Sequence, residues 1–202
     1  MGLRERKREH TIQMILEAAA DTFGANGYHG TSMEDVARAT GCATATLYGY
    51  FKSKEELFTR LLTTRMNEYL QGVREAVDGT AGFWDGVDAF LDHFVAHAKQ
   101  HEQFNKVLIL VMRAPTDGLH PDPEDADAFN EAYLTLVGSI VQRGIDAGLV
   151  RTTNPMALAV NITGMLHANW FASLLFPEAC DLAEAAASIR ALLLGGVSEV
   201  PR

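Results

Sequence analysis

The sequence predicts an all-α fold on three observations. From Thr11 to Leu194 apolar residues recur every three or four positions, the spacing that gives a helix one apolar face. No run alternates apolar and polar residues as a half-buried strand does. Between Thr31 and Phe58 three helix starts crowd together: Thr31 with Glu34, the residues after Gly41, and Ser53 with Glu56. The first and last have the capping-box pattern, a hydroxyl followed three positions on by a carboxylate.

The elements follow in order. Residues 1–10 form a charged arm with Arg4, Arg6, Lys7 and Arg8. Thr11 to Phe23 is a first helix, with Ile12, Ile15, Leu16, Ala19 and Phe23 on one face and Gly24 and Gly27 ending it. Two short helices then flank Gly41, and Val36, Ala37, Leu47 and Phe51 can share one apolar face. This is the helix-turn-helix pattern, whose second helix enters a DNA major groove.

Ser53 to Val77 is one long helix striped by Leu57, Phe58, Leu61, Leu62, Met66, Tyr69, Leu70, Val73 and Val77. Nothing breaks it before Gly72, so it is a stiff connector. Asp78 to Gly82 is a turn. Residues 83–101 are helical, with Trp84, Val87, Phe90, Leu91, Phe94 and Ala98 inward, and residues 103–113 are apolar enough to be central to a core. Pro115 to Pro123 is the clearest loop. A helix over 125–147 is closed by Gly148. Residues 155–176 are apolar nearly all round, so that helix must be covered on more than one side. Pro177 stops it, and a last helix over 181–194 turns Leu182, Ala186, Ile189 and Leu193 inward.

The totals limit the function classes. A chain of 202 residues can bury a sizeable core. No apolar run approaches the roughly 20 residues that span a bilayer, and the charged N-terminus is no signal peptide. Cys42 and Cys180 lie far apart, which fits a reducing cytoplasm. The net charge is −9, yet residues 1–60 carry eight Lys/Arg against eight Asp/Glu, and the whole excess lies in residues 61–202. DNA affinity needs cations near phosphates, not a basic total. The arm at residues 1–10 is either a solvated tail or an element that reaches the DNA backbone or minor groove.

The stretch Thr31–Phe58 resembles the TetR family of tetracycline-repressor-like transcription regulators. The family pattern is matched at Thr31, Asp35, Val36, Ala37, Gly41, Thr46, Leu47, Tyr48, Tyr50, Phe51, Ser53, Lys54, Glu55 and Leu57, with one residue of slack at the first threonine. The resemblance implies an N-terminal three-helix DNA-binding domain over 1–60. The long helix would join it to a C-terminal helical domain over 61–202 that binds a ligand and dimerises. It implies a repressor that binds a palindromic operator as a homodimer through helices about 155–176 and 181–194, released by a small-molecule effector. No enzyme activity, cofactor, metal or membrane attachment is expected.

The reading helix spans Thr44 to Tyr50 and holds no Arg, Lys, Asn or Gln, the best base-edge readers. Thr44 and Ala45 are expected at bases, with Thr46 packed inward. The resemblance places Thr31, Ser32 and Ala43 at DNA, and Tyr48, Tyr50 and Lys54 at phosphates. Ala43 stands where the family has a capping serine, and Gly49 is expected to weaken the same helix.

In the C-terminal part Trp84, Phe90, Phe94, Phe104, Met112, Tyr133, Met165 and Trp170 are candidates to line an apolar cavity, with His167 and Phe171 beside them. An acidic domain with aromatics suits a lipophilic effector, cations included. His93, His97 and His101 form a stripe at i, i+4, i+8. Such a stripe is about 12 Å long, so one ion cannot take all three. Two other readings stay open: a helical enzyme using that stripe, and an adaptor that has kept the fold without DNA binding.

Overall fold

The computed structural model describes residues 2–113, 121–151 and 154–196. Its elements are α1 (Leu3–Asn26), α2 (Met33–Thr40), α3 (Thr44–Tyr48), α4 (Lys54–Asp78), α5 (Phe83–Gln100), α6 (Glu102–Arg113), α7 (Pro123–Asp146), α8 (Pro155–Leu175) and α9 (Leu182–Gly196). No strand occurs among the described residues. The all-α reading is what the structure shows.

The chain divides into two compact units, one of Met1–Arg65 with His101–Ala126 and one of Met66–Gln100 with Asp127–Arg202. In the first unit, Ile12, Ile15, Leu16, Phe23, Val36, Leu47, Phe51, Leu57, Phe58 and Leu61 form the core, joined by Phe104 and Val107 of α6. Its centre is aromatic. Phe58 meets Phe23 at 5.1 Å, Tyr28 at 5.0 Å and Phe104 at 5.9 Å between ring centroids. Phe104 is therefore part of this unit's core, whereas the sequence offered it as an effector-lining residue of the C-terminal domain.

Several boundaries move. α1 begins at Leu3, so the charged arm is helical. Its Arg, Lys and Glu residues are good helix formers with no breaker among them, and the Glu5 carboxylate accepts the Gly2 N–H at 2.8 Å. Gly24 does not end the helix. It lies inside α1, where an added Cβ would stand 3.0 Å from Gln103 of α6, so its small size permits that contact. The helix ends at Gly27, with φ 73. α7 starts at Pro123, a residue suited to a first helical turn. Of the expected loop over 115–123, residues 115–120 lie outside the described residues.

The second unit has its own core, from Tyr69, Val73 and Val77 of α4 through Phe90, Phe94, Tyr133, Val137, Ile140, Ile162, Leu166 and Ile189. Arg143 donates to the Thr80 carbonyl at 2.9 Å, which fixes the α4–α5 turn on α7. Arg190 of α9 forms a two-pronged ion pair with Asp88 of α5 and lies over the Trp84 ring. α4 is continuous through Arg65 and Met66, where the units divide. No helix among the described residues is long and apolar enough to cross a membrane.

Candidate nucleic-acid interface and ligand-binding residues

α2 is capped by Ser32, one residue later than the sequence pattern places it. Ser32 Oγ accepts the Asp35 N–H at 3.1 Å, and the Asp35 carboxylate accepts the Ser32 N–H at 3.0 Å and its hydroxyl at 2.6 Å. These bonds hold the Asp35 carboxyl below the usual range, with the Ser32 hydroxyl the largest cause. Thr31 is 2% exposed, and its hydroxyl donates to the Gly27 carbonyl at 2.8 Å. Thr31 locks the α1–α2 loop, so its hydroxyl is engaged inside the unit, whereas the sequence placed it at DNA.

Gly41 ends α2 at φ 69 and ψ 19, a left-handed conformation that only glycine adopts without strain. The Cys42 N–H then bonds the Ala37 carbonyl at 3.0 Å, closing the turn. α3 follows, anchored by Leu47 (0% exposed), with Phe51 (4%) buried just after it. That anchoring leaves Ala45, Thr46 and Tyr48 exposed and Thr44 half-buried. The expectation for Thr46 is corrected: it faces outward. The reason is helical register. Thr44 lies three residues before Leu47 and shares its side, whereas Thr46 is turned away by one position.

Ala43 is the N-cap of α3, at φ −71 and ψ 143, and makes no side-chain cap bond. The extended geometry suits serine. Ala43→Ser is expected to raise stability by roughly 0.5–2 kcal/mol and to tighten DNA binding. Thermal unfolding and binding titrations check this, and no change in either contradicts it. Gly49 lies just past α3, at φ −71 and ψ −18. It caps the helix and carries no interior penalty, contrary to expectation.

Ser53 caps α4 as expected, its hydroxyl accepting the Glu56 N–H at 3.2 Å, while the Glu56 carboxylate takes the N–H of Lys52. Lys54 Nζ donates to the Tyr28 and Thr31 carbonyls, both at 3.0 Å, and lies 4.4 Å from the Tyr28 ring centroid. An ammonium has three donors, so a phosphate can claim only the third. Lys54 is first a clamp between α4 and the α1–α2 loop. Tyr50 is half-buried, with the Arg8 guanidinium 5.7 Å from its ring centroid. The helical N-terminus thus brings a cation beside Tyr50, two residues past the end of α3. Arg38 and Lys52 are also exposed, and sequence reasoning passed over both.

In the second unit, Phe90, Phe94 and Tyr133 are buried, and Trp84, Met165 and Trp170 pack partly buried against the same core. Met112 lies in α6, but its side chain falls outside the described residues. Tyr133 is the hub of a ring network: Tyr69 at 5.6 Å, Phe129 at 5.7 Å, His167 at 5.9 Å and Phe90 at 6.0 Å. Tyr69 in turn meets His93 at 5.7 Å and His97 at 5.0 Å. Tyr69 and Phe129 had no expected ligand role; the sequence placed Tyr69 only in the stripe of the long helix. The Tyr69 and Tyr133 hydroxyls bond each other at 3.1 Å. Burial pushes the Tyr133 phenol up to about 12 and Tyr69 well above its ordinary value. Burial also pushes the imidazoles of His93 and His167 below their ordinary value, disfavouring the charged form; His167 keeps an exposed edge. Among the described residues no group of three or more His, Cys, Asp or Glu is placed to hold a metal ion.

Several known proteins are similar to this chain. Residues 15–61 match the model of the bacterial regulatory proteins of the tetR family. The fatty acid metabolism regulator protein of Bacillus subtilis is 25% identical over 198 residues, covering 96% of this chain and 98% of its own. The HTH-type transcriptional regulator UidR of Escherichia coli is 27% identical, covering 93% and 92%. In fold, the chain is similar to the Bacillus subtilis regulator FadR, solved with stearoyl-CoA. The TM-score is 0.75 at 22% identity, over 91% of this chain and 98% of that one.

Proposed function

This chain belongs to the TetR family of transcriptional regulators, and from that premise we propose that it is a cytoplasmic repressor that binds a palindromic operator as a homodimer and is released by a small apolar effector. The DNA-reading domain is residues 1–60, the effector and dimerisation domain residues 61–202, and no catalysis is assigned to either. The observation that carries the reading is α3: Leu47 anchors it so that Ala45, Thr46 and Tyr48 stand exposed beyond a glycine turn.

The dimer reading rests on α8 and α9. α8 contains no charged residue, yet Val160 is 47% and Phe171 39% exposed, and Leu192 of α9 is 63% exposed. Ala157, Gly164 and Ala168 on α8 and Ala183, Ala187 and Ala191 on α9 are exposed as well, small enough for a second copy to approach closely. A two-fold partner would bury the same faces on both chains.

The effector reading rests on the aromatic interior of the second unit and on the relatives, one named for fatty acid metabolism and one solved with stearoyl-CoA. A fatty-acyl thioester is the class they favour. Such a ligand acts only by favouring one state of the protein, and unbroken α4 offers a covalent path from Tyr69 to Lys54. The test is selection of binding sites from a random DNA pool, with stoichiometry by gel shift. Sites with dyad symmetry holding two chains, and weakened binding by Phe171→Glu, are expected. Binding by single chains to asymmetric sites contradicts the dimer reading.

A further inference from the structure

The Tyr69–Tyr133 hydroxyl pair carries an unmet hydrogen bond. Two phenols hold two protons, and the bond between them uses one. Neither hydroxyl makes another hydrogen bond among the described residues. A buried O–H without an acceptor is costly, so the pair is predisposed to take an acceptor from outside. Around it stand the rings of Phe90, Phe129, His93, His97 and His167, contributed by α5, α7 and α8.

The charge around the pair decides what that acceptor is. Among the described residues no Asp or Glu is buried. Asp35 and Asp88, the two half-buried ones, are each paired with an arginine. The acidity of the chain is therefore a surface property, and the interior offers a cation aromatic faces but no carboxylate. Burial disfavours the charged imidazoles of His93 and His167, so neither favours an anion at the pair. A neutral oxygen on an apolar body can take the free phenol proton without bringing a charge into this interior.

Resting on the reading of the second unit as an effector domain, we propose that the Tyr69–Tyr133 pair is the effector's polar contact and that it selects a neutral carbonyl or hydroxyl oxygen carried on an apolar chain. The effector oxygen accepts the free phenol proton. Because Tyr69 sits on α4, the helix that continues to the DNA-reading residues, this contact also places the effector on the element it must bias.

The test uses full-length protein and three probes with one chain length: methyl decanoate, 1-decanol and decyltrimethylammonium. Binding is followed by the fluorescence of Trp84 and Trp170. Methyl decanoate and 1-decanol are expected to bind and to lose roughly three- to tenfold in affinity in Tyr133→Phe and in Tyr69→Phe. The ammonium probe is expected to bind more weakly and to be indifferent to both substitutions. Equal affinity of wild type and both variants for the oxygen probes, tightest binding of the ammonium probe, or no binding of either oxygen probe overturns the proposal. Operator binding without any probe is measured in parallel. If it persists while the oxygen probes fail, the regulator reading stands and only this contact is wrong. If it is absent, the regulator reading itself fails.

Discussion

Phe58→Ala is expected to remove about 3–5 kcal/mol from the first unit, a large share of the roughly 5–15 kcal/mol that holds a native domain. Phe58 is 0% exposed and touches rings from α1, the α1–α2 loop and α6. No neighbour can collapse into the space without breaking another of these contacts. DNA binding should be lost at temperatures where wild type binds. Trp84 and Trp170 both lie in the second unit, so their fluorescence should remain native. Retained DNA binding with an unchanged melting curve would show that the aromatic cluster is not what holds α3 in place.

Gly72→Ala carries the second large effect. A Cβ at Gly72 would stand 2.3 Å from His93 Cε1 and 2.7 Å from its Nε2. The imidazole occupies the space a side chain would need, so the substitution is expected to cost about 1–3 kcal/mol of overpacking, less up to about 1 kcal/mol gained in helix propensity. His93→Ala should relieve it. His93 Nε2 is buried and unpartnered, and the imidazole's remaining polar contact is with the Tyr69 backbone, so the single His93→Ala variant sets the reference for any bond lost. Denaturant unfolding of the two single variants and the double variant forms the cycle. A double variant more stable than additivity allows is expected, and strict additivity contradicts the contact.

The legible parts of the fold were those set by local pattern. Gly41, Leu47 and Phe51 announced the turn and the buried face of α3, and the long stripe from Leu57 to Val77 announced α4, because both follow from spacing alone. The shift from Thr31 to Ser32 at the α2 cap was not legible, since both hydroxyls have a carboxylate three residues on and only the loop geometry chooses. Gly24 read as a helix end because the contact that requires it, with Gln103, is remote in sequence. Phe104 read as cavity lining for the same reason: its apolar periodicity is plain, but which unit it packs in depends on tertiary contact. The Tyr69–Tyr133 pair joins residues on α4 and α7 whose spacing says only that each is buried.

The measurement closest to the central claim is a footprint of the purified protein on the DNA flanking its own gene, at low and physiological salt, with Ala45→Glu beside wild type. Ala45 is exposed, so the substitution leaves the core alone and sets a carboxylate where α3 would meet DNA. The account predicts two half-sites with dyad symmetry, about one DNA turn apart, protected by wild type and unprotected by Ala45→Glu. Equal protection by both proteins, or none by wild type at low salt, would contradict DNA reading by α3.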